Sequence, residues 1–213
     1  MLKQIQAVTG VVFFVFLILH LTNTWLAAAG PAVYDGVQAT LRAVYQLAVV
    51  EALLLAALAV HLVVGIMRIV TEPRRTLSLR ARLHRYAGFF LALVIVGHIL
   101  AVRGSSWFYD VYPQFAGLAF SIEYVPAYFF PYYFLLGVAG FYHAVNGFGI
   151  AMGRLGWALP ISNRALTGAN MASVALMTAA LLGLGGYLFD VGVPSDSEFA
   201  HLAREIFGVE PEA

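Results

Sequence analysis

Four histidines recur in two frames along the 213-residue chain. His20 and His98 each close a Gly-x9-His frame, "GVVFFVFLILH" from Gly10 and "GFFLALVIVGH" from Gly88. His61 and His143 share Ala-x3-His-x3-Gly, with Ala57 and Gly65 around the first and Ala139 and Gly147 around the second. A neutral imidazole is a metal ligand, and two imidazoles approaching from opposite sides are how a b-type haem iron is held without a covalent tether. Small residues one turn from a ligand, here Ala57, Gly65, Ala139, Gly140 and Gly147, let a flat ring approach the helix backbone. Each histidine taken singly also reads as a side chain that hydrogen-bonds a neighbouring helix, and Gly and Ala are common at any packed membrane interface. The repeated frame points to iron, because ionisable groups in apolar segments are costly and functional by default.

The elements that carry these residues are apolar. The chain is 62% hydrophobic and 11% charged, against about 45–50% and 25% for an average soluble domain, and its mean hydropathy is +0.84. Spanning a bilayer takes about 20 mostly apolar residues as helix, and five such windows occur, at about 7–29, 44–67, 86–102, 127–152 and 170–189. The fold class is therefore all-α and integral to a membrane, a single transmembrane domain over 1–213 with a short tail at 190–213. The first window is longer than a signal-peptide core and reads as a span. The chain has no cysteine, which excludes disulfides, iron-sulfur ligation by this chain and a thioether-linked haem.

Basic residues collect on the cytoplasmic side of membrane proteins. The segment "RIVTEPRRTLSLRARLHR" between the second and third windows holds six arginines; with Lys3, Arg154 and Arg164 it places nine of the twelve basic residues on one face, with Glu72 the single acid among them. The N-terminus is expected inside a cell's inner membrane and the acidic tail outside. At 1.5 Å of rise per residue, His20 and His98 come to lie roughly 20 Å from the basic face, and His61 and His143 about 10 and 16 Å from it. In an up-and-down four-helix bundle the first and third helices, and the second and fourth, face each other across the core. The first four spans thus predict a tandem two-helix repeat with an outer pair, His20 with His98, and an inner pair, His61 with His143.

With five spans, one histidine in each of the first four and a basic second connection ending in "RLHRYAG", the chain resembles the cytochrome b membrane-anchor subunit of succinate dehydrogenases and fumarate reductases, the succinate:quinone oxidoreductases of respiratory complex II, in their five-helix, two-haem form. The resemblance covers nearly the whole chain. It implies two haem b groups, the outer on His20 and His98 and the inner on His61 and His143, and a quinone, usually menaquinone, near the outer one. It also implies partnership with an iron-sulfur subunit and a flavoprotein subunit carrying FAD, so that electrons are relayed between those subunits and quinone while the dicarboxylate chemistry resides in another chain. The arginine-rich segment would then serve docking, haem propionates or membrane topology alone. Two other readings stay open: the di-haem anchor of a different oxidoreductase, and a non-redox transporter with a histidine-lined path, against which stand the apolar neighbours of the histidines.

Quinone exchanges two protons with its two electrons, so its site needs a protonatable group. Glu51 is the acid inside a window, about 15 Å outward of His61 on the same helix; it reads equally as a helix-end carboxylate in water. Asp35 and Arg42, in a short connection after the first span, are further candidates. The aromatic-rich segment from Arg103 to Tyr133 reads as an interfacial belt, His84 as a solvated helix-end residue, His201 as a tail residue without chemistry, and the fifth span as structure packed beside the bundle.

Overall fold

The computed structural model describes residues 1–71 and 76–208. The described residues form helices joined by turns and contain no strand. Five helical stretches are long and apolar enough to cross a membrane: Leu2–Ala29, Ala48–Thr71, Leu79–Tyr109, Pro126–Arg154 and Asn163–Leu184. Glu72, Arg74 and Arg75, part of the six-arginine segment, lie outside the described residues.

The first stretch is α1 (Leu2–Trp25) continued by a tight turn, Leu26–Ala29. Gly30, at φ 106°, ends it in a backbone conformation that suits glycine. Pro31 then opens a second helix, α2 (Pro31–Tyr45), its fixed φ and missing N–H being harmless at a helix start. The second span, α3 (Ala48–Thr71), therefore begins at residue 48 and not at 44. The third, α4 (Leu79–Ile99), starts well before residue 86, capped by the Ser78 side chain on the Ala81 amide. Its first turns carry Arg80, Arg82 and Arg85, which an apolar window rejects although their backbone is helical. It also runs past residue 102, through a wide π turn, Leu100–Gly104, into the short α5 (Ser105–Tyr109).

The aromatic segment that followed the third window is largely helical too, forming α6 (Phe115–Tyr124) before α7 (Pro126–Arg154), the fourth span. The fifth, α8 (Asn163–Leu184), ends at Gly185 and Gly186, short of the expected residue 189. The tail carries an amphipathic helix, α9 (Glu198–Phe207), with Ser197 as its N-cap.

Helix α1 packs against both α3 and α7, and α4 packs against α7. The fourth side is open, since among the described residues α3 and α4 scarcely touch. Helix α8 packs outside the bundle on α7 and on the turn that ends α1. Gly183 makes that approach possible, because a Cβ there would lie 2.5 Å from the Ala27 carbonyl oxygen. The densest apolar core is at this end, where Ala27, Tyr34, Phe115, Ala119, Ile122, Ala180, Leu181 and Leu184 meet. That cap ties the far ends of α1, α7 and α8 together without filling the space inside the bundle.

Candidate functional site

A cavity of about 1270 Å³ runs along the middle of the bundle. Protein interiors pack as densely as organic crystals and hold few voids larger than a water molecule, and a typical ligand pocket is about 300–1,000 Å³. This space is large enough to take a ligand. Its walls are mostly Leu, Phe, Ile and Gly, and all four histidines line it. They are half-buried because their open faces look into the cavity.

The rings meet in two pairs, each joining one helix of each repeat. His20 of α1 faces His98 of α4 with ring centroids 6.2 Å apart, and His61 of α3 faces His143 of α7 at 6.3 Å. Two metal–imidazole bonds of about 2 Å, with roughly 1.1 Å from each nitrogen to its ring centre, span roughly 6.2 Å. Among the described residues no three His, Asp or Glu side chains converge as a metal cage. Each pair thus brings two imidazoles together, too few to cage a bare ion, and would suit a metal centre that carries further donors of its own.

The inner pair is also held in a defined orientation. The Thr9 Oγ1 lies 3.2 Å from His61 Nδ1, and His143 Nδ1 lies 3.1 Å from the backbone carbonyl of His84. A carbonyl only accepts, so His143 donates its Nδ1–H and its Nε2 keeps a lone pair, the arrangement of a metal-ligating histidine. The glycines of the sequence frame stand against these rings and not against the histidines that share their helices. A Cβ on Gly10 would come within 3.1 Å of His61 Cε1, and one on Gly88 within 2.9 Å of His143 Cε1.

One turn closer to the basic face the pattern repeats. Gly65 faces the Gln6 side chain and Gly147 faces His84. The α1/α3 and α4/α7 units therefore share one packing frame, in which Gln6 and His84 occupy matching places. His84 is not a solvated helix end. It is half-buried, and its ring stacks on His143 at 4.1 Å and 6° between planes. The expected packing role of Gly65 and Gly147 goes to these two side chains, while Gly10 and Gly88 accommodate the histidines.

At the basic end the cavity is lined by Arg68, Arg85 and Arg154; Arg68 donates to the Gln6 side-chain oxygen. At the other end Glu51, in the first turn of α3, is clamped by Arg103, which meets both its carboxylate oxygens, Oε2 at 2.8 Å, and also reaches Ser106 Oγ at 2.5 Å. The pair is mostly buried, each side chain 19% exposed. It bridges the open α3/α4 seam at that end, which a carboxylate merely reaching water would not do. The sequence carried a signal for it: Arg103 is a lone cation five positions past His98, at the same end of the bundle as Glu51.

Asp35 and Arg42 lie on α2, not in a loop. Asp35 Oδ1 accepts the Phe115 amide at 2.8 Å and so caps α6. Burial raises its carboxyl above the usual carboxylate range, opposed by that hydrogen bond and by Arg42. Arg42 donates to the Pro113 carbonyl and sits 4.8 Å over the Tyr112 ring. Arg42 borders the cavity, beside Tyr45 and the buried Gln38; Asp35 does not. His201 is exposed beside Arg204.

Compared with known proteins, the chain matches no protein-family model, no curated protein and no solved structure.

Proposed function

We propose that this chain is a di-haem b membrane anchor that relays electrons between a cytoplasmic iron-sulfur and flavoprotein pair, a succinate dehydrogenase or fumarate reductase, and membrane quinone, in the first instance menaquinone. One observation carries the reading: two facing histidine pairs, 6.2 and 6.3 Å between ring centroids, in one apolar cavity. Haem bound between such imidazoles supplies reversible one-electron chemistry at its iron, with a potential set by its ligands and its burial.

The chain's own residues do the rest. His61 and His143 are the ligands nearer the basic face, His20 and His98 those farther from it. Arg68, Arg85 and Arg154, at the basic mouth, offer guanidinium partners for propionate carboxylates. The leucine and phenylalanine walls exclude water and so keep the local dielectric low. Glu51, oriented by Arg103, is a carboxylate whose oxygens can hold or release a proton beside the outer pair, and Arg42, Tyr45 and Gln38 surround the same end. The basic face is assigned to the cytoplasm of a cell with an inner membrane, where the partner subunits would dock. The choice of donor and of menaquinone follows from the resemblance to succinate:quinone oxidoreductase anchors.

The test is a reduced-minus-oxidised optical spectrum of the purified chain with a pyridine haemochrome count, repeated on His20→Ala and His61→Ala. Two b-type haems per chain, each substitution losing a different one, are expected. A folded preparation without haem would return the histidines to a transport or packing role.

A further inference from the structure

Both inner histidines are held at one edge by main chain, His61 by the backbone of Gln6 and His143 by the carbonyl of His84. The matching residues of the two repeats thus do the same work with their backbones. Their side chains do not. Gln6 turns its amide onto Gly65, with Nε2 3.3 Å from a would-be Cβ there, and receives Arg68. His84 takes the matching seat on Gly147, its Cε1 3.0 Å from a would-be Cβ. Its ring lies flat on His143, 4.1 Å between centroids and 6° between planes. We infer that the His84 side chain is a positioning residue that sets the plane of the His143 ring, a role that Gln6, having no ring, does not perform for His61.

An edge bond alone would leave that plane soft. The torsion that turns an imidazole about its Cβ–Cγ bond is broad, and a carbonyl accepts over a wide range of directions. The stacked ring removes this freedom. Aromatic centroids usually lie about 4.5–7 Å apart, so at 4.1 Å a tilt of His143 drives its edge into His84. One turn further along α4, Gly88 meets the same ring, a would-be Cβ lying 2.9 Å from Cε1 and 3.1 Å from Nδ1. The turn from His84 to Gly88 therefore supplies a carbonyl for the edge of His143, a ring for its face and room for its Cε1. The cost of the arrangement also points to the ring. His84 Nδ1 is buried with no hydrogen-bond partner among the described residues, a penalty that an aliphatic side chain filling the seat would escape. His61 and His143 meet with their planes at 89°, and His84 holds that angle from one side.

The proposal takes its purpose from the haem reading, but its first test needs no haem. The full chain is made with carbon-13 and nitrogen-15 histidine and held in lipid nanodiscs without added haem, with His143→Ala assigning the His143 signals. The ring current of His84 should move the His143 ring protons upfield. His84→Gln copies the residue of the first repeat and keeps the backbone acceptor. It should abolish the upfield shift while the Nδ1–H tautomer of His143 persists, and His84→Phe should keep both. In the chain loaded with haem, the largest g value of the inner centre's low-spin ferric resonance depends on the angle between its two imidazole planes. It should shift and broaden in His84→Gln and stay near the unaltered position in His84→Phe, with the outer centre unchanged. His143 protons that do not move in His84→Gln overturn the proposal. So does loss of the Nδ1–H tautomer in that variant, which would make His84 a packing residue for the whole turn. The expected proton shifts with no haem uptake would leave His84 in its role and overturn the function instead.

Discussion

At the residue scale the site is defined by what stands behind each ring. The meeting of the four histidines in two pairs was legible in the sequence, because helical rise and alternating direction fix depth, and depth fixes which rings can face. Gly10 and Gly88 were visible as a frame, but spacing along one helix says nothing about which neighbour leans on it. Only the packed helices show that each glycine receives the histidine of the next span. Thr9 was hidden for the same reason, and the His84 carbonyl has no sequence signature at all. The two glycines should differ on substitution. Gly88→Ala sets a Cβ 2.9 Å from the His143 ring, below any ordinary contact, while Gly10→Ala meets His61 at 3.1 Å. Overpacking costs about 1–3 kcal/mol, offset by up to about 1 kcal/mol of helix propensity gained over glycine. Gly88→Ala should therefore lower the thermal midpoint in detergent and disturb the inner pair's spectrum, and Gly10→Ala should do both more weakly.

At the scale of the elements, hydropathy located the five spans and misjudged their ends. Each error has a cause: helix continues through the arginine-bearing turns of α4, where an apolar window stops, and the aromatic connections fold as α2 and α6 because they pack on one another. Those two helices and the end of α8 make the cap, and its tightest joint is Gly183 against the Ala27 carbonyl. The comparison with Gly137 is informative, since a Cβ there would also meet a neighbour at 2.5 Å, the Sδ of Met177. Methionine is unbranched and flexible enough to turn aside, whereas a backbone oxygen held in a helical turn is not. Gly183→Ala should cost about 2–3 kcal/mol and Gly137→Ala about 1 kcal/mol, read as thermal unfolding of the solubilised chain.

For the whole molecule, each histidine pair takes one ring from each repeat, so an occupant between the rings adds a second connection between two halves that otherwise pack chiefly through α1 on α7 and stand open between α3 and α4. Binding to the folded state alone adds about 2.7 kcal/mol when free ligand stands at a hundred times its dissociation constant. If the occupant is the haem of the proposed function, stripping it from the loaded chain should lower the unfolding midpoint by several degrees, and restoring it should recover the loss. A chain whose midpoint ignores haem would place the halves' cohesion elsewhere. The double substitution His61→Ala with His143→Ala should shrink the haem-dependent increment to that of the outer pair alone, measured in the same scans.

The seam between α3 and α4 carries a further consequence. Leu55 and Ile66 on one side, Phe89 and Leu93 on the other, line the cavity and are well exposed, and with α3 and α4 scarcely touching the slot would open sideways onto acyl chains in a bilayer. Hydrocarbon is chemically at home there, and a lipid tail lying in the slot competes with any occupant for the same volume. The affinity of the site is then a joint property of protein and lipid. Fluid, slender chains that slip in readily would weaken retention, and bulky or branched chains that cannot enter would strengthen it.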